Sequence, residues 1–184
     1  MLILGSNSSG RKYLLEQVTK DFVVIPSDFD EDELKSKNYK PSVLVKKLSL
    51  GKLNVLIKQH KNDVILCADT VVYQDKTFFG KPLDNEDAIN MLKKISSKPH
   101  FVYSGVAIYK DGVIYSFYDK TKVIFKHISI EDINNYVSSG QSNGKAGSYG
   151  IQSINDKFIK KVVGDFSTVI GMPLEKVIKI IFNK

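Results

Sequence analysis

The 184-residue chain is 42% hydrophobic and 26% charged, the composition of an ordinary globular domain, which excludes a disordered or collagen-like protein. No apolar run approaches the roughly 20 residues that span a bilayer, and the N-terminus carries no basic leader, so a soluble cytoplasmic protein is expected. A formal charge of +7 favours anionic partners, but the lysines are scattered rather than gathered into a nucleic-acid-binding arm, and the single cysteine, Cys67, excludes an internal disulfide.

Residues 2–4 predict a short buried strand that runs into the small polar loop Gly5-Ser6-Asn7-Ser8-Ser9-Gly10. Arg11, Lys12, Leu14, Leu15 and Val18 then fall at helical spacing. A second strand is expected over residues 22–25, followed by an acidic stretch over 27–33. Pro41 suits the first turn of a helix spanning 41–60, on which Leu44, Leu48 and Val55 recur and which Gly51 interrupts. The continuous apolar run 64–67 reads as a strand buried on both faces, delivering Asp69-Thr70 before the strand resumes over 71–73. Asp84 caps a helix with Ala88, Met91, Leu92 and Ile95 inward. Two long β segments, 101–109 and 113–127, flank the turn Lys110-Asp111-Gly112, and Ser129 caps a helix ending near Gly140. A glycine-rich stretch over 140–150 precedes two further short strands, and Pro173 opens the last helix. Without a repeat or linker, the pattern is one α/β domain over 1–184 built on a mixed sheet.

Several residues carry chemical potential. In the loop ending at Arg11 and Lys12, small side chains let backbone amides approach a phosphate at a helix start, although a capped loop alone explains it too. Asp69 lies just past an apolar run, where a carboxylate loses hydration and needs a cation or a metal, unless it merely caps a turn. Lys81 stands between Gly80 and Pro82, either an aimed ammonium or a plain hairpin end. The cluster Asp28, Asp30, Glu31, Asp32 and Glu33 offers oxygen ligands for a hard divalent ion or forms an exposed acidic loop. Gln152 ends the run Lys145 to Gln152 with an amide that can both donate and accept. The three histidines are not at metal-ligand spacing, and no serine lies in a nucleophile elbow.

Together these pieces resemble the Maf family of nucleoside triphosphate pyrophosphatases. LGSNSSGRKYLL is similar to its N-terminal Ser-x-Ser-Pro-Arg-Arg motif with Ser6, Ser8 and Arg11 in register. FDE over 29–31 resembles its acidic element, LSLGKLNV its lysine helix, and CADTVV, FGKP, KAGSYGIQ and VIGMPL follow in the family's order. The resemblance implies an elongated mixed sheet flanked by helices, with two lobes around a nucleotide groove, and a homodimer. It implies Asp69 as the catalytic carboxylate, Glu31 and Asp69 as ligands of Mg²⁺ or Mn²⁺, and Lys52 and Lys81 as phosphate-neutralising cations. Ser6, Ser8 and Arg11 would hold the polyphosphate, with Thr70 and Gln152 shaping the nucleotide site. The chain departs from the motif at Gly10, where the family has its first arginine, with Lys12 as a candidate substitute, and also at Gln141 and Ser153.

The implied reaction is hydrolysis of a nucleoside triphosphate to the monophosphate and pyrophosphate. Asp69-Thr70 resembles the branch acting on dTTP, UTP and modified pyrimidine triphosphates, the alternative substrate being 7-methyl-GTP. The rival class is a non-catalytic cell-division regulator or nucleic-acid-binding protein, against which a desolvated carboxylate among lysines argues.

Overall fold

The computed structural model describes residues 1–183, and all of their side chains but those of Asn155 and Asp156. Three long strands, β3 (Val64–Gln74), β5 (His100–Lys110) and β6 (Val113–Phe125), run antiparallel through the whole molecule. On one side of β3, the parallel strand β1 (Leu2–Leu4) and then β2 (Val23–Val24) extend the sheet. On the far side, β7 (Ile159–Val163) pairs with the last residues of β6, 122–125. The short β4 (Thr77–Phe79) folds back on β3 through a turn at Asp75 and Lys76, both in the left-handed region with φ 47° and 63°. The result is a seven-stranded mixed sheet flanked by helices.

Two separate cores form at opposite ends of the long strands. At one end Leu4, Leu66, Ala68, Val106 and Ile108 pack against α1 (Ser9–Glu16) and α8 (Leu174–Phe182) through Leu14, Leu15, Val177 and Ile181. The other face of that end packs Ile3, Ile65 and Cys67 on Leu53 and Leu56 of α3 (Pro41–Ile57). At the other end Val72, Val102 and Val123 join α4 (Asn85–Ser96), α5 (Ile130–Ser138) and α6 (Ile151–Phe158) through Leu92, Ile95, Ile133, Tyr136 and Ile154. The two cores meet where β3 presents Asp69 and Thr70, so the expected two-lobed groove follows from the length of the strands.

Local chemistry explains most of these elements. Pro41 occupies the first turn of α3, where its missing N–H costs nothing. Asp84 accepts from Asp87 N at 2.8 Å to start α4, whose acidic first turn and lysine-bearing last turn complement the helix dipole. Ser129 starts α5 in the same way. Helix α3 lies so close to the sheet that a Cβ on Gly105 would sit 2.8 Å from Lys46 N and closer still to the Val45 carbonyl. Because Gly105 is the register partner of Asp69, this close approach brings α3 over the acid.

The structure departs from the expected elements in several places. Strand β3 passes through Asp69 and Thr70 without a break. Helix α3 ends at Ile57 rather than at residue 60, and the acidic stretch winds into the short helix α2 (Asp32–Lys35). Among the described residues after 150 only one of the two expected strands forms, β7, and it is preceded by α6. The other apolar run becomes α7 (Phe166–Ile170), because Asp165 accepts from Ser167 N at 2.8 Å and caps a helical turn over the β-branched residues. Among the described residues no helix is long and apolar enough to cross a membrane.

Candidate active site

A groove of about 890 Å³ lies between the two cores, and Ser6, Ser8, Arg11, Glu31, Lys52, Asp69, Thr70, Lys81 and Gln152 all line it. Lys12 does not. It stands on the exposed face of α1 with its ammonium 3.9 Å from Glu16, so it does not replace the arginine absent at position 10. A Cβ at Gly10 would lie 2.8 Å from the Ile170 carbonyl oxygen, so this stretch of backbone is packed for glycine.

Asp69 is 9% exposed at the groove floor. Lys52, reaching across from α3, donates to its Oδ1 at 2.6 Å and to Glu31 Oε1 at 2.7 Å, so one ammonium bridges two carboxylates. Lys35 closes the chain on Glu31 Oε2 at 2.5 Å. No other hydrogen bond to the Asp69 carboxylate forms among the described residues, which leaves Oδ2 for a ligand. Burial on its own raises the pKa of Glu31, but the hydrogen bonds and charges of Lys35 and Lys52 outweigh it and hold the carboxyl below its ordinary range. Burial pulls Lys35 down, but its hydrogen bond to Glu31 and the charges of Glu31, Asp69 and Asp32 outweigh it and shift Lys35 upward.

Arg11 is built in on three sides. Its Nε donates to the Gly171 carbonyl at 3.0 Å, Nη1 to Ser6 Oγ at 2.8 Å and Nη2 to Thr70 Oγ1 at 3.1 Å. Burial pulls the guanidinium below its ordinary value, and the nearby charge of Asp69 counters part of that. The Thr70 hydroxyl accepts from Arg11 and lies 2.7 Å from Ser104 Oγ and 3.1 Å from the Gly171 carbonyl. Ser104 Oγ in turn lies 2.8 Å from the Thr168 carbonyl, so two hydroxyl protons are shared among these three contacts. Thr70 therefore holds Arg11 as well as lining the groove. Ser6 Oγ accepts from Ser8 N at 3.2 Å, and Ser8 Oγ accepts from Arg11 N at 3.4 Å as the cap of α1.

Across the groove, Lys81 follows β4 and Gln152 lies in the first turn of α6, both exposed. Two further lysines line the groove, Lys35 and Lys145. Lys35 was signalled by its position four residues after Glu31, the spacing of a helical ion pair. Lys145 opens the run 145–152, in which the amide of Gln152 is the stronger chemical signal. Burial pushes the Cys67 thiol up to about 12, so it packs as a small apolar side chain and supplies no nucleophile.

Among the described residues no three His, Cys, Asp or Glu side chains gather as a metal cage. Glu31 and Asp69 do converge, and one or two carboxylates completed by substrate phosphates are the donor set that Mg²⁺ prefers. The residues thus fit an ion carried with a polyphosphate rather than one caged by protein alone.

A family model described as Maf-like protein matches residues 1–183. A dTTP/UTP pyrophosphatase of Thermosipho africanus (strain TCF52B) is 44% identical, the alignment covering 100% of this chain and 93% of the relative. Those of Acholeplasma laidlawii (strain PG-8A), at 40% over 97% and 94%, and Latilactobacillus sakei subsp. sakei (strain 23K), at 37% over 100% and 100%, are similar. Among solved structures, the Ham1 protein of Staphylococcus aureus gives a TM-score of 0.42 at 12% identity, covering 68% of this chain and 71% of that one. With the match running through both cores and every strand that builds the groove, the chain belongs to the Maf-like protein family.

Proposed function

We propose that this protein hydrolyses nucleoside triphosphates between the α and β phosphates, with dTTP, UTP and modified pyrimidine triphosphates as substrates. The observation that carries the reading is Asp69, a nearly buried carboxylate with one oxygen held by Lys52 and the other open to a groove lined with cations. The names of the similar pyrophosphatases support the choice of substrate.

In this reading the polyphosphate lies over the loop of residues 5–11, where Arg11 and the start of α1 meet its charge. Asp69 takes a proton from a water as the oxygen of that water bonds to the α-phosphorus. The α–β bridge then breaks, its electron pair leaving on pyrophosphate, which Lys35, Lys52 and Lys81 neutralise. A Mg²⁺ or Mn²⁺ ion held by Glu31 and Asp69 would supply further charge neutralisation on the phosphates. Gln152, on the other lobe, offers a donor and an acceptor to the base. We also read the protein as cytoplasmic, in keeping with its single thiol, and as a homodimer. The free edge of β6, with Val113, Ile114 and Tyr115 each 39–48% exposed, supports that assembly.

The test is pyrophosphate release from a panel of nucleoside triphosphates with Mg²⁺ or Mn²⁺. The expected outcome is release from dTTP and UTP that falls at least about 1,000-fold in Asp69→Asn, the range seen when a catalytic base is removed. A folded parent that releases nothing from any nucleotide would overturn the reading.

A further inference from the structure

Between β2 and α2 the chain has no regular structure, yet it delivers Glu31 to Lys52. Two local turns shape it, Phe29 N donating to Ser27 Oγ at 3.2 Å and Asp32 N to Asp30 Oδ1 at 3.0 Å. Neither turn ties the segment to the rest of the fold. Phe29 does so, because the far end of its half-buried ring meets Gly51 of α3. A Cβ at Gly51 would sit 2.5 Å from Cε1 and 2.7 Å from Cε2 of the ring, and closer still to Cζ, distances that real Cβ atoms do not show.

A glycine inside a helix costs about 1 kcal/mol relative to alanine, so its presence at position 51 needs a reason, and the ring is one. Lys52 follows Gly51, and Glu31 stands two residues beyond Phe29, so the ring contact and the ion pair join the same two segments at the same helical turn. The ion pair alone would hold the carboxylate loosely, since Glu31 is a quarter exposed and such pairs are worth little in water.

We propose that Phe29, seated on Gly51, is a positioning residue that sets the distance of Glu31 from Lys52 and Asp69. The proposal rests on the reading above, in which Glu31 takes part in the reaction. Phe29 does not line the groove, and it acts through the backbone of residues 29–31.

The experiment is a double-mutant cycle in the pyrophosphate-release assay, using Phe29→Ala, Gly51→Ala, Glu31→Gln and the combinations of each of the first two with Glu31→Gln. Loss of about 1 Å of registration is expected to lower kcat about 10- to 100-fold and to raise the Mn²⁺ concentration needed for half-maximal rate, with the KM for dTTP changed less than threefold. In the Glu31→Gln background neither Phe29→Ala nor Gly51→Ala should lower kcat further. Phe29→Leu, with a slimmer side chain, should return most of the rate lost in Gly51→Ala. Equal losses with and without Glu31 would show that Phe29 acts on the fold at large and would overturn the proposal. Parental kcat and metal dependence in Phe29→Ala, alongside a crippled Glu31→Gln, would overturn it too while leaving the functional reading intact. A Glu31→Gln enzyme with parental rate would instead remove the role assigned to Glu31, and the proposal would fall with it.

Discussion

Arg11 is committed on three sides before any substrate arrives, to Ser6, Thr70 and the Gly171 carbonyl. These bonds use three of the five N–H donors of a guanidinium and leave two for a ligand. A lysine keeps the charge but cannot form such a fork. Arg11→Lys is therefore expected to cost about 10- to 100-fold in kcat/KM for dTTP, the loss of one or two charge-assisted hydrogen bonds. Steady-state kinetics check this, and a parental kcat/KM would mean that the fork is not used. The partners of Arg11 lie 5, 59 and 160 residues away along the chain. This separates what the sequence makes legible from what it hides. That Arg11 belongs to the site follows from its motif, whereas its anchoring by Gly171 depends on how α7 folds back over α1. Gly51 is another case, since read along the helix it looks like a flaw, and its reason is a ring 22 residues earlier that no helical periodicity can indicate.

Among the elements, α4 and α5 were legible because their signals are local: a capping Asp84 or Ser129, an acidic first turn and an apolar stripe. Helix α7 was not, because Thr168, Val169 and Ile170 have the composition of a strand and the deciding event is the cap made by Asp165. The second core holds a test of its own in His100. It is fully buried against Phe125 and Tyr149, with Nε2 2.7 Å from the Tyr149 hydroxyl and Nδ1 without a hydrogen-bond partner. Burial pushes its pKa down to about 4 from the ordinary 6.5, and the Ile95 backbone lies near enough to offset a little of this without reaching hydrogen-bond geometry. In this window the unfolded chain binds a proton that the folded chain refuses. The contribution of His100 to stability is therefore expected to be complete above about pH 6.5 and to fall away as the pH drops toward 4, by about 3 kcal/mol in all. Denaturant unfolding at pH 7 and pH 4.5 should show the loss, and His100→Gln should flatten it. Equal slopes in parent and variant would assign the acid sensitivity to other groups.

For the whole molecule, the same three strands that place the site also leave β6 bare over residues 113–121, where among the described residues no strand pairs its outer edge. An exposed, mostly uncharged edge invites pairing, and natural sheets discourage it with lysine. If a second copy covers this edge, Tyr115→Lys should halve the mass measured by light scattering while leaving pyrophosphate release from dTTP within about twofold. A parent that is monomeric at micromolar concentration would remove the homodimer.

Cys67 lies in β3 two residues before Asp69, fully buried, with its Sγ directly beneath Gly5 of the loop that lines the groove. It is the single thiol of the chain, and burial keeps it protonated. A thiol-directed reagent can reach it only when β3 parts from the loop above, so the labelling rate of the unmodified protein counts openings of the strand that carries the acid. If the proposed nucleotide fills the groove, it should close that route and slow the labelling, giving a record of how often the site breathes without any probe being introduced.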